Sequence, residues 1–353
     1  MKKLISIFCL SFCFLFIALN LNALPLTGTK NIPGDYPTLA LAITDLNLQG
    51  VGAGGVIINL IAENPEIAPL GGYVIGGSGS LVLTTSSAFN TITIQGNANT
   101  ITAPNPQTSG NLNDAVFKLI GADWVTLTGF TMLENPANII TAAGTNNMTE
   151  WGVALLYVTT TDGAQNNTVS SNIIDLNRVY QNTFGIYSNS THSASSVTAS
   201  ASATTSAGGN SNLTVIANII TDINIGIVVI GPTAAADNND GLTIGGTALN
   251  VNTITNYGTT NLFSGYANVS LTVNGILVRN TKNLNVSFNT VSSSVGGVIS
   301  GILNGINLIA FSNAPAGTFT NTINNNNISL QSGVAVSAIN GILAATSTAT
   351  TTS

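Results

Sequence analysis

Hydrophobic and polar positions alternate along this chain in short triplets, with Asn, Gly and Pro clustered between the triplets. One pattern recurs: an apolar residue, two small or polar residues, Asn, any residue, and a second apolar residue. Four clear copies occur, at Val169 to Asn172, Val215 to Asn218, Val286 to Asn289 and Ile323 to Asn326. Degenerate copies fit at Ile94 to Asn97, Leu127 to Phe130 and Ile244 to Thr247. Short apolar runs bounded by turn residues predict many short strands.

A second pattern, Gly followed by Ile or Val at the start of an apolar run, falls between copies of the first. It begins at Gly152, Gly185, Gly226, Gly275, Gly305 and Gly341. The copies are unevenly spaced by about 30 to 45 residues, a period typical of solenoids whose insertions lie in loops. Gly and Asn tolerate positive φ better than other residues, so we expect both patterns to mark corners.

The repeats predict an all-β chain wound into a parallel β-helix. Stacking of the coils would bring Asn172, Asn218, Asn289 and Asn326 above one another, where their amides can hydrogen bond in a structural ladder. The flanking Ile and Val would alternate between the core and the outside with period two. An antiparallel β-sandwich of short strands is the alternative architecture.

Four regions follow from the pattern. Residues 1–23 resemble a secretory signal peptide, because Lys2 and Lys3 precede a long apolar run and Ala23 is a plausible cleavage point. Residues 24–60 form an N-terminal cap, with an amphipathic helix over Leu39 to Leu46 that covers the first coil and a first strand over Val56 to Leu60. Residues 61–345 form the coils, with a low-complexity insertion at 193–212. Residues 346–353 are a low-complexity end, which we interpret as a truncation.

The first region, residues 1–23, has an alternative interpretation, and it contains both cysteines of the chain. Its apolar run is nearly long enough to span a membrane, so an N-terminal anchor is the alternative to a cleaved signal. Both cysteines, Cys9 and Cys13, lie within it, and each follows a Phe where a lipoprotein needs a small residue. A mature chain without cysteine has no disulfides, so its stability must come from packing and backbone hydrogen bonds.

The charge pattern excludes one class of partner. Only 6% of the residues are charged, with seven basic and thirteen acidic side chains and a net charge of −6. Nucleic-acid binding needs clustered cations to displace phosphate counterions, and the sequence contains no such cluster. No nucleic-acid partner is therefore expected.

Several motifs, in this order along the chain, resemble those of large secreted right-handed parallel β-helix surface proteins of the Bacteroidetes. They are Gly34-Asp-Tyr-Pro-Thr-Leu39, Val56-Ile-Ile-Asn-Leu60, the run from Val116 to Gly129, Trp151-Gly-Val-Ala-Leu155 and Asp240-Gly-Leu-Thr-Ile-Gly-Gly246. The resemblance implies a right-handed, pectin-lyase-like fold and a location that is secreted or on the outer cell surface. It also implies further C-terminal domains, including a type IX sorting domain, although no such domain is visible in this sequence.

Because pectin-lyase-like folds include polysaccharide lyases and glycoside hydrolases, the acidic residues need scrutiny. Asp114, Glu134 and Glu150 look isolated in the sequence. Asp175 and Asp222 are the best candidate catalytic pair, because they follow equivalent strands one coil apart. The alternative is that both are solvated turn residues. The single histidine, His192, is interpreted as a loop residue beside the insertion.

No cofactor is expected. The segment from Asp237 to Gly241 is rich in oxygen ligands and makes Asp237 and Asp240 weak candidates for Ca²⁺ binding, but it lacks the bidentate Glu of an EF-hand. It can equally be a polar turn that needs no ion.

Two function classes remain. The first is a non-enzymatic cell-surface module that is adhesive, contacts glycans or acts as a spacer, with polysaccharide as the expected partner and no transmembrane segment in the mature chain. The second is a carbohydrate-active enzyme. An ice-binding surface is less favoured, because Thr-x-Thr occurs at Thr91 to Thr93 and Thr126 to Thr128 without a regular array.

Overall fold

The computed structural model describes residues 24–110, 112–142, 144–193, 201–259, 272–293, 302–309, 320–332 and 338–345. The predicted signal peptide and the low-complexity end lie outside these ranges, as do residues 194–200 of the predicted insertion. The strands of the described chain form three long sheets, named sheets A, B and C below, and one small separate sheet.

Sheet A contains nine strands. They are β1 (Leu26–Ile32), β2 (Val51–Leu60), β5 (Ile92–Gln95), β8 (Val125–Thr128), β11 (Thr168–Ser170), β14 (Thr214–Ile216), β18 (Thr243–Gly245), β22 (Asn285–Ser287) and β25 (Thr322–Asn324). Sheet B contains eight strands. They are β3 (Glu66–Ile67), β6 (Thr100–Thr102), β9 (Thr131–Leu133), β12 (Ile173–Asp175), β15 (Ile219–Thr221), β19 (Thr253–Tyr257), β23 (Thr290–Ser293) and β26 (Asn327–Ser329).

Sheet C also contains eight strands. They are β4 (Tyr73–Gly76), β7 (Ala115–Ile120), β10 (Trp151–Tyr157), β13 (Phe184–Ser193), β16 (Ile225–Ile230), β20 (Val273–Arg279), β24 (Ile302–Ile309) and β27 (Ala338–Ala345). A small separate sheet pairs β17 (Asn239–Asp240) with β21 (Thr281–Lys282). The α-helices of the described residues are α1 (Leu39–Gln49) and α2 (Val82–Thr85).

The connectivity is that of a parallel β-helix. The chain visits sheets A, B and C in turn and then returns to sheet A one strand further along, as when β11, β12 and β13 are followed by β14. All pairings between these named strands are parallel. Crossover connections between parallel strands are almost always right-handed. The predicted all-β solenoid is confirmed, and the antiparallel sandwich is wrong.

The Asn-containing pattern aligns on sheet A without any slip. The first apolar residue of each copy pairs directly with that of the next coil, in the order Ile94, Leu127, Val169, Val215, Ile244, Val286 and Ile323. Even the degenerate copies keep this register. The reason is that shifting a strand by one residue would turn its apolar side chains out of the core.

The Gly-containing pattern forms a second column, on sheet C. Ile186, Ile227 and Ile276, which follow three of these glycines, pair across neighbouring coils. A Cβ on Gly226 would lie 2.3 Å from the Gly275 carbonyl oxygen and 2.6 Å from Ile254 Cγ2. Close packing against sheet B and the neighbouring coil therefore requires glycine at all of these positions except Gly341, where a Cβ would meet no atom within 4 Å. The expectation that they supply positive φ is wrong, because their φ angles are negative.

The N-terminal cap contains the predicted helix. Thr38 accepts a hydrogen bond from the Leu41 N–H at 3.3 Å, and Glu66 accepts one from the Leu39 N–H at 2.9 Å. The buried face of α1 consists of Leu39, Ala42, Ile43 and Leu46, and the helix packs against β4, β1 and β2. Strand β1, which the sequence pattern did not predict, pairs with β2 and begins sheet A.

Candidate functional site

The four predicted ladder asparagines stack in one line, joined by a fifth. Asn172 Nδ2 donates to Asn218 Oδ1, Asn218 to Asn252 and Asn252 to Asn289, at 3.0–3.1 Å. Asn289 donates in the same way to Asn326 at 3.0 Å. Each of these amides also donates to a backbone carbonyl of an adjacent coil, such as Asn218 Nδ2 to the Val169 oxygen at 2.9 Å. The ladder satisfies buried backbone groups and is structural.

The corner conformation differs from the one expected. Positive φ belongs to the residue before the asparagine, which is Ser171, Ala217, Phe288 or Asn325, with φ between 52° and 58°. The asparagine itself is not in the left-handed region. Its role is to accept and donate hydrogen bonds between coils.

Asp175 and Asp222 lie close together, as the sequence predicted, and two further side chains join them. Asp175 ends β12, and Asp222 follows β15 in a left-handed turn with φ of 49°. Asn256 Nδ2 donates to Asp222 Oδ1, and Arg178 Nη1 donates to Asn256 Oδ1 at 2.8 Å. All four are half-buried. We name this group the arginine–aspartate cluster.

Electrostatics in the arginine–aspartate cluster follow from partial burial. Burial raises the pKa of Asp175, and the Asp222 carboxylate raises it further. Burial lowers the pKa of the Arg178 guanidinium, while Asp222 opposes that shift. The cluster therefore offers carboxylates and a cation to a polar ligand at the surface. Its hydrogen bonds already hold Arg178 and Asp222 through Asn256.

The predicted Ca²⁺ candidates do not form a centre. Asp240 lies in β17, accepts a hydrogen bond from Asn283 Nδ2 at 2.7 Å and has Lys282 Nζ 3.9 Å from its Oδ2. Asp237 lies in a short 3₁₀ turn. Within the described ranges, no three His, Cys, Asp or Glu side chains lie where they could share a metal ion.

His192 is not a loop residue. It lies in β13, is fully buried and packs edge-on against Trp151, with ring centroids 5.5 Å apart, and against Tyr187. The interpretation as a loop residue is wrong because β13 extends to Ser193, at the edge of the low-complexity segment.

The structure brings together carboxyl groups that the sequence left isolated. Asp114 and Glu150 are both fully buried and precede β7 and β10 at equivalent positions, since Ala115 pairs with Trp151. Glu150 Oε2 accepts from the Asp114 N–H at 2.7 Å, and Oε1 accepts from the Tyr180 hydroxyl at 3.2 Å. Lys118 Nζ donates to the Asn113 carbonyl at 2.6 Å. We name Asp114, Glu150, Lys118 and Tyr180 the acid corner.

Burial dominates the charges of the acid corner. It raises the pKa of Asp114 to about 6 and that of Glu150 well above its usual range, and it lowers the pKa of Lys118. Neither oxygen of Asp114 accepts a hydrogen bond of normal geometry, although Thr108 approaches closely enough to lower its pKa somewhat. The sequence signal for this corner was an acid directly before each of two apolar strands.

The outer face of sheet A is uncharged at its centre. One column of half-buried side chains runs across seven strands in register: Thr93, Thr126, Thr168, Thr214, Thr243, Asn285 and Thr322. We name it the threonine column. The neighbouring column is mixed, with Gln95, Thr128, Ser170 and Ile216 in successive strands. The two Thr-x-Thr motifs do not align with each other, because Thr93, the second threonine of one motif, pairs with Thr126, the first threonine of the other.

In the part of the chain that the structure describes, no helix has the length and apolarity needed to cross a membrane. Comparison of the chain with protein-family models, with curated proteins and with solved structures gives no match in any of the three. The fold and the chemistry of its surfaces are therefore the basis for a functional proposal.

Proposed function

We propose that this chain is a non-enzymatic β-helix module, exported to the outer cell surface, that contacts polysaccharide through the outer face of sheet A. The observation that carries the proposal is the threonine column. Parallel strands lie about 4.8 Å apart, so the column presents hydroxyl groups at a regular spacing on a rigid support. Each hydroxyl can both donate and accept a hydrogen bond, as a sugar hydroxyl can.

Regular repetition compensates for weak individual contacts. A single Thr–sugar hydrogen bond in water contributes about 1 kcal/mol or less. Six threonines and Asn285 in one line can engage successive units of a polymer, and linked weak contacts combine into avidity. The core of Val, Ile and Leu beneath the column, with the asparagine ladder at the adjoining corner, keeps the spacing fixed.

The acid corner does not favour an enzyme, because a substrate cannot reach groups that are fully buried. Asp114 and Glu150 have no exposed surface. The observation that favours the alternative, a carbohydrate-active enzyme, is the arginine–aspartate cluster. There Asp175, Asp222 and Arg178 remain partly exposed. The same purified protein can distinguish the two functions.

Replacing Thr126, Thr168 and Thr214 together by valine is expected to shorten retention on immobilised neutral and acidic polysaccharides several-fold. Valine keeps the shape and the strand preference of threonine and removes only the hydroxyl. Affinity chromatography of the folded mature chain provides the measurement. The matched control replaces Thr131, Thr253 and Thr290, on the outer face of sheet B, by valine and should be retained like the wild type.

Turnover is measured on the same polysaccharides. Release of shorter products by the wild type that disappears in Asp222→Ala would contradict the non-enzymatic proposal and support the alternative. Equal loss of retention in both valine variants would contradict a specific role for the threonine column. Absence of both retention and turnover would reject glycan contact and leave a spacer role.

Export is tested on the same protein in its native host. We expect the mature chain to begin near residue 24 and to be found outside the cytoplasm, because residues 1–23 have the three regions of a signal peptide. N-terminal sequencing of the mature protein provides the measurement. A chain that keeps Met1 and sediments with membranes would support the anchor instead.

A further inference from the structure

The acid corner places two carboxyl groups where neither can be hydrated. Asp114 and Glu150 occupy equivalent positions in neighbouring coils, and the Asp114 carbonyl accepts the Trp151 N–H at 3.0 Å. The backbones at these positions are therefore about 4.8 Å apart, the spacing of paired strands. Both side chains have no exposed surface. Two negative charges this close in an apolar setting destabilise the folded state unless they are neutralised.

The surrounding groups neutralise the pair only in part. Glu150 receives hydrogen bonds from the N–H groups of Asn113 and Asp114 and from Tyr180. Asp114 receives none of normal geometry. Within the described ranges, Lys118 forms no ion pair closer than 4.0 Å with either acid.

The other titratable groups that act on the corner are Lys118 from β7, Tyr180 from the segment before β13, and Glu134 after β9. Glu134 accepts from Asn138 Nδ2 at 2.7 Å and from the Thr149 N–H at 2.8 Å, so hydrogen bonds from its own surroundings satisfy it. Among the groups that act on the corner, Lys118 is thus the one cation, and it forms a direct ion pair with neither acid. A proton on Asp114 or Glu150 leaves one negative charge opposite the positive charge of Lys118, which is the simplest way to neutralise the acid corner.

We propose that the acid corner is a proton-controlled latch, closed while at least one of Asp114 and Glu150 is protonated and loosened when both ionise. Closure holds together the chain segments that lead into β7 and β10, because the Asp114 backbone and the Glu150 side chain are hydrogen-bonded across the coils. Ionisation places two charges on fully buried side chains, and opening of these segments exposes them to solvent.

The direction of the pH effect follows from the raised pKa values. Burial raises the pKa of Asp114 from about 4 to about 6, and that of Glu150 rises further above its usual range. The folded corner therefore binds protons more tightly than the open one. Its stability is complete below about pH 4 and is lost as the pH rises through 6 and beyond. The pKa of Lys118, which burial lowers, acts in the opposite direction, because the folded corner then favours the neutral amine as the pH rises.

Hydrogen exchange of the folded mature chain tests the latch. Between pH 5 and pH 8, after correction for intrinsic exchange rates, the Asp114 and Trp151 amides should lose about tenfold or more of their protection, because one pKa unit corresponds to a tenfold change. Asp114→Asn and Glu150→Gln each remove one of the two titrating carboxyl groups, so this dependence should be smaller than in the wild type in both variants. Glu150→Gln keeps an acceptor for the Asp114 N–H, so it provides a folded variant if Asp114→Asn does not fold.

The matched control is Asp175→Asn, a half-buried acid outside the corner, which should keep the wild-type pH dependence at Asp114 and Trp151. Protection that stays constant between pH 5 and pH 8 in the wild type would overturn the latch. So would full pH dependence in Glu150→Gln. Amides of sheet A, such as that of Val215, provide the internal reference because they lie far from the acid corner along the chain.

Discussion

Replacing Gly226 by valine is expected to destabilise the folded chain by about 4 kcal/mol or to prevent folding. The new Cβ would lie 2.3 Å from the Gly275 carbonyl oxygen and 2.6 Å from Ile254 Cγ2. The first of these is backbone in a neighbouring coil, so no side-chain rotation can relieve the overlap. The midpoint of urea unfolding, followed by circular dichroism, provides the measurement.

Gly341 offers a matched control within the same column. It aligns with Gly305 between β24 and β27, but a Cβ there would meet no atom within 4 Å. Gly341→Val should therefore change the unfolding midpoint little or raise it, since valine favours strands. Equal destabilisation at both positions would contradict the packing explanation and indicate a requirement for glycine backbone freedom instead.

The glycine column illustrates what sequence reasoning could and could not supply. The repeat of Gly followed by Ile or Val was visible, and it correctly marked one equivalent position per coil. The reason was not visible, because it depends on Ile174, Ile220 and Ile254 of sheet B reaching across the coil to the glycines. Positive φ was the more familiar explanation for glycine, and the structure rejects it here.

The asparagine ladder was predictable wherever the motif was contiguous. Asn172, Asn218, Asn289 and Asn326 each follow the first apolar residue by three positions. Asn252 follows Ile244 by eight, because a turn from Gly246 to Asn250 separates β18 from β19. The strand register alone shows that Asn252 takes the same place. Because of this inserted turn, a search of the sequence for a fixed spacing does not find Asn252.

The acid corner was beyond sequence reasoning for a related reason. Asp114 and Glu150 are separated by β7, β8, β9 and the segment that follows β9, and neither lies in the Asn-containing motif. Their proximity follows from the pairing of Ala115 with Trp151, which only the coil geometry provides. Single acids at strand starts are common in turns, so their position becomes informative only when neighbouring coils are aligned.

Replacing Asn218 by alanine is expected to destabilise the chain by about 4 kcal/mol. The Asn218 Oδ1 accepts from both the N–H and the Nδ2 of Asn172 at 3.1 Å, and its Nδ2 donates to the Val169 oxygen at 2.9 Å. The variant removes these partners from the Asn172 N–H and the Val169 oxygen, at about 1–3 kcal/mol for each buried group. It also removes one of the two acceptors of Asn172 Nδ2, which keeps the Leu127 oxygen. Urea unfolding again provides the measurement, with the exposed Asn324→Ala as the control.

Asn218→Asp separates lost hydrogen bonds from lost volume, because aspartate has nearly the same shape. Its carboxylate can still accept from Asn172 but cannot donate to Val169, and its charge is buried at a position with no exposed surface. We expect this variant to be at least as unstable as Asn218→Ala at pH 7. Protonation restores one donor and removes the charge, so its unfolding midpoint should rise towards wild type at pH 4. Similar midpoints for Asn218→Asp at both pH values, or a destabilisation by Asn218→Ala no larger than that of Asn324→Ala, would contradict the ladder's role in holding the coils together.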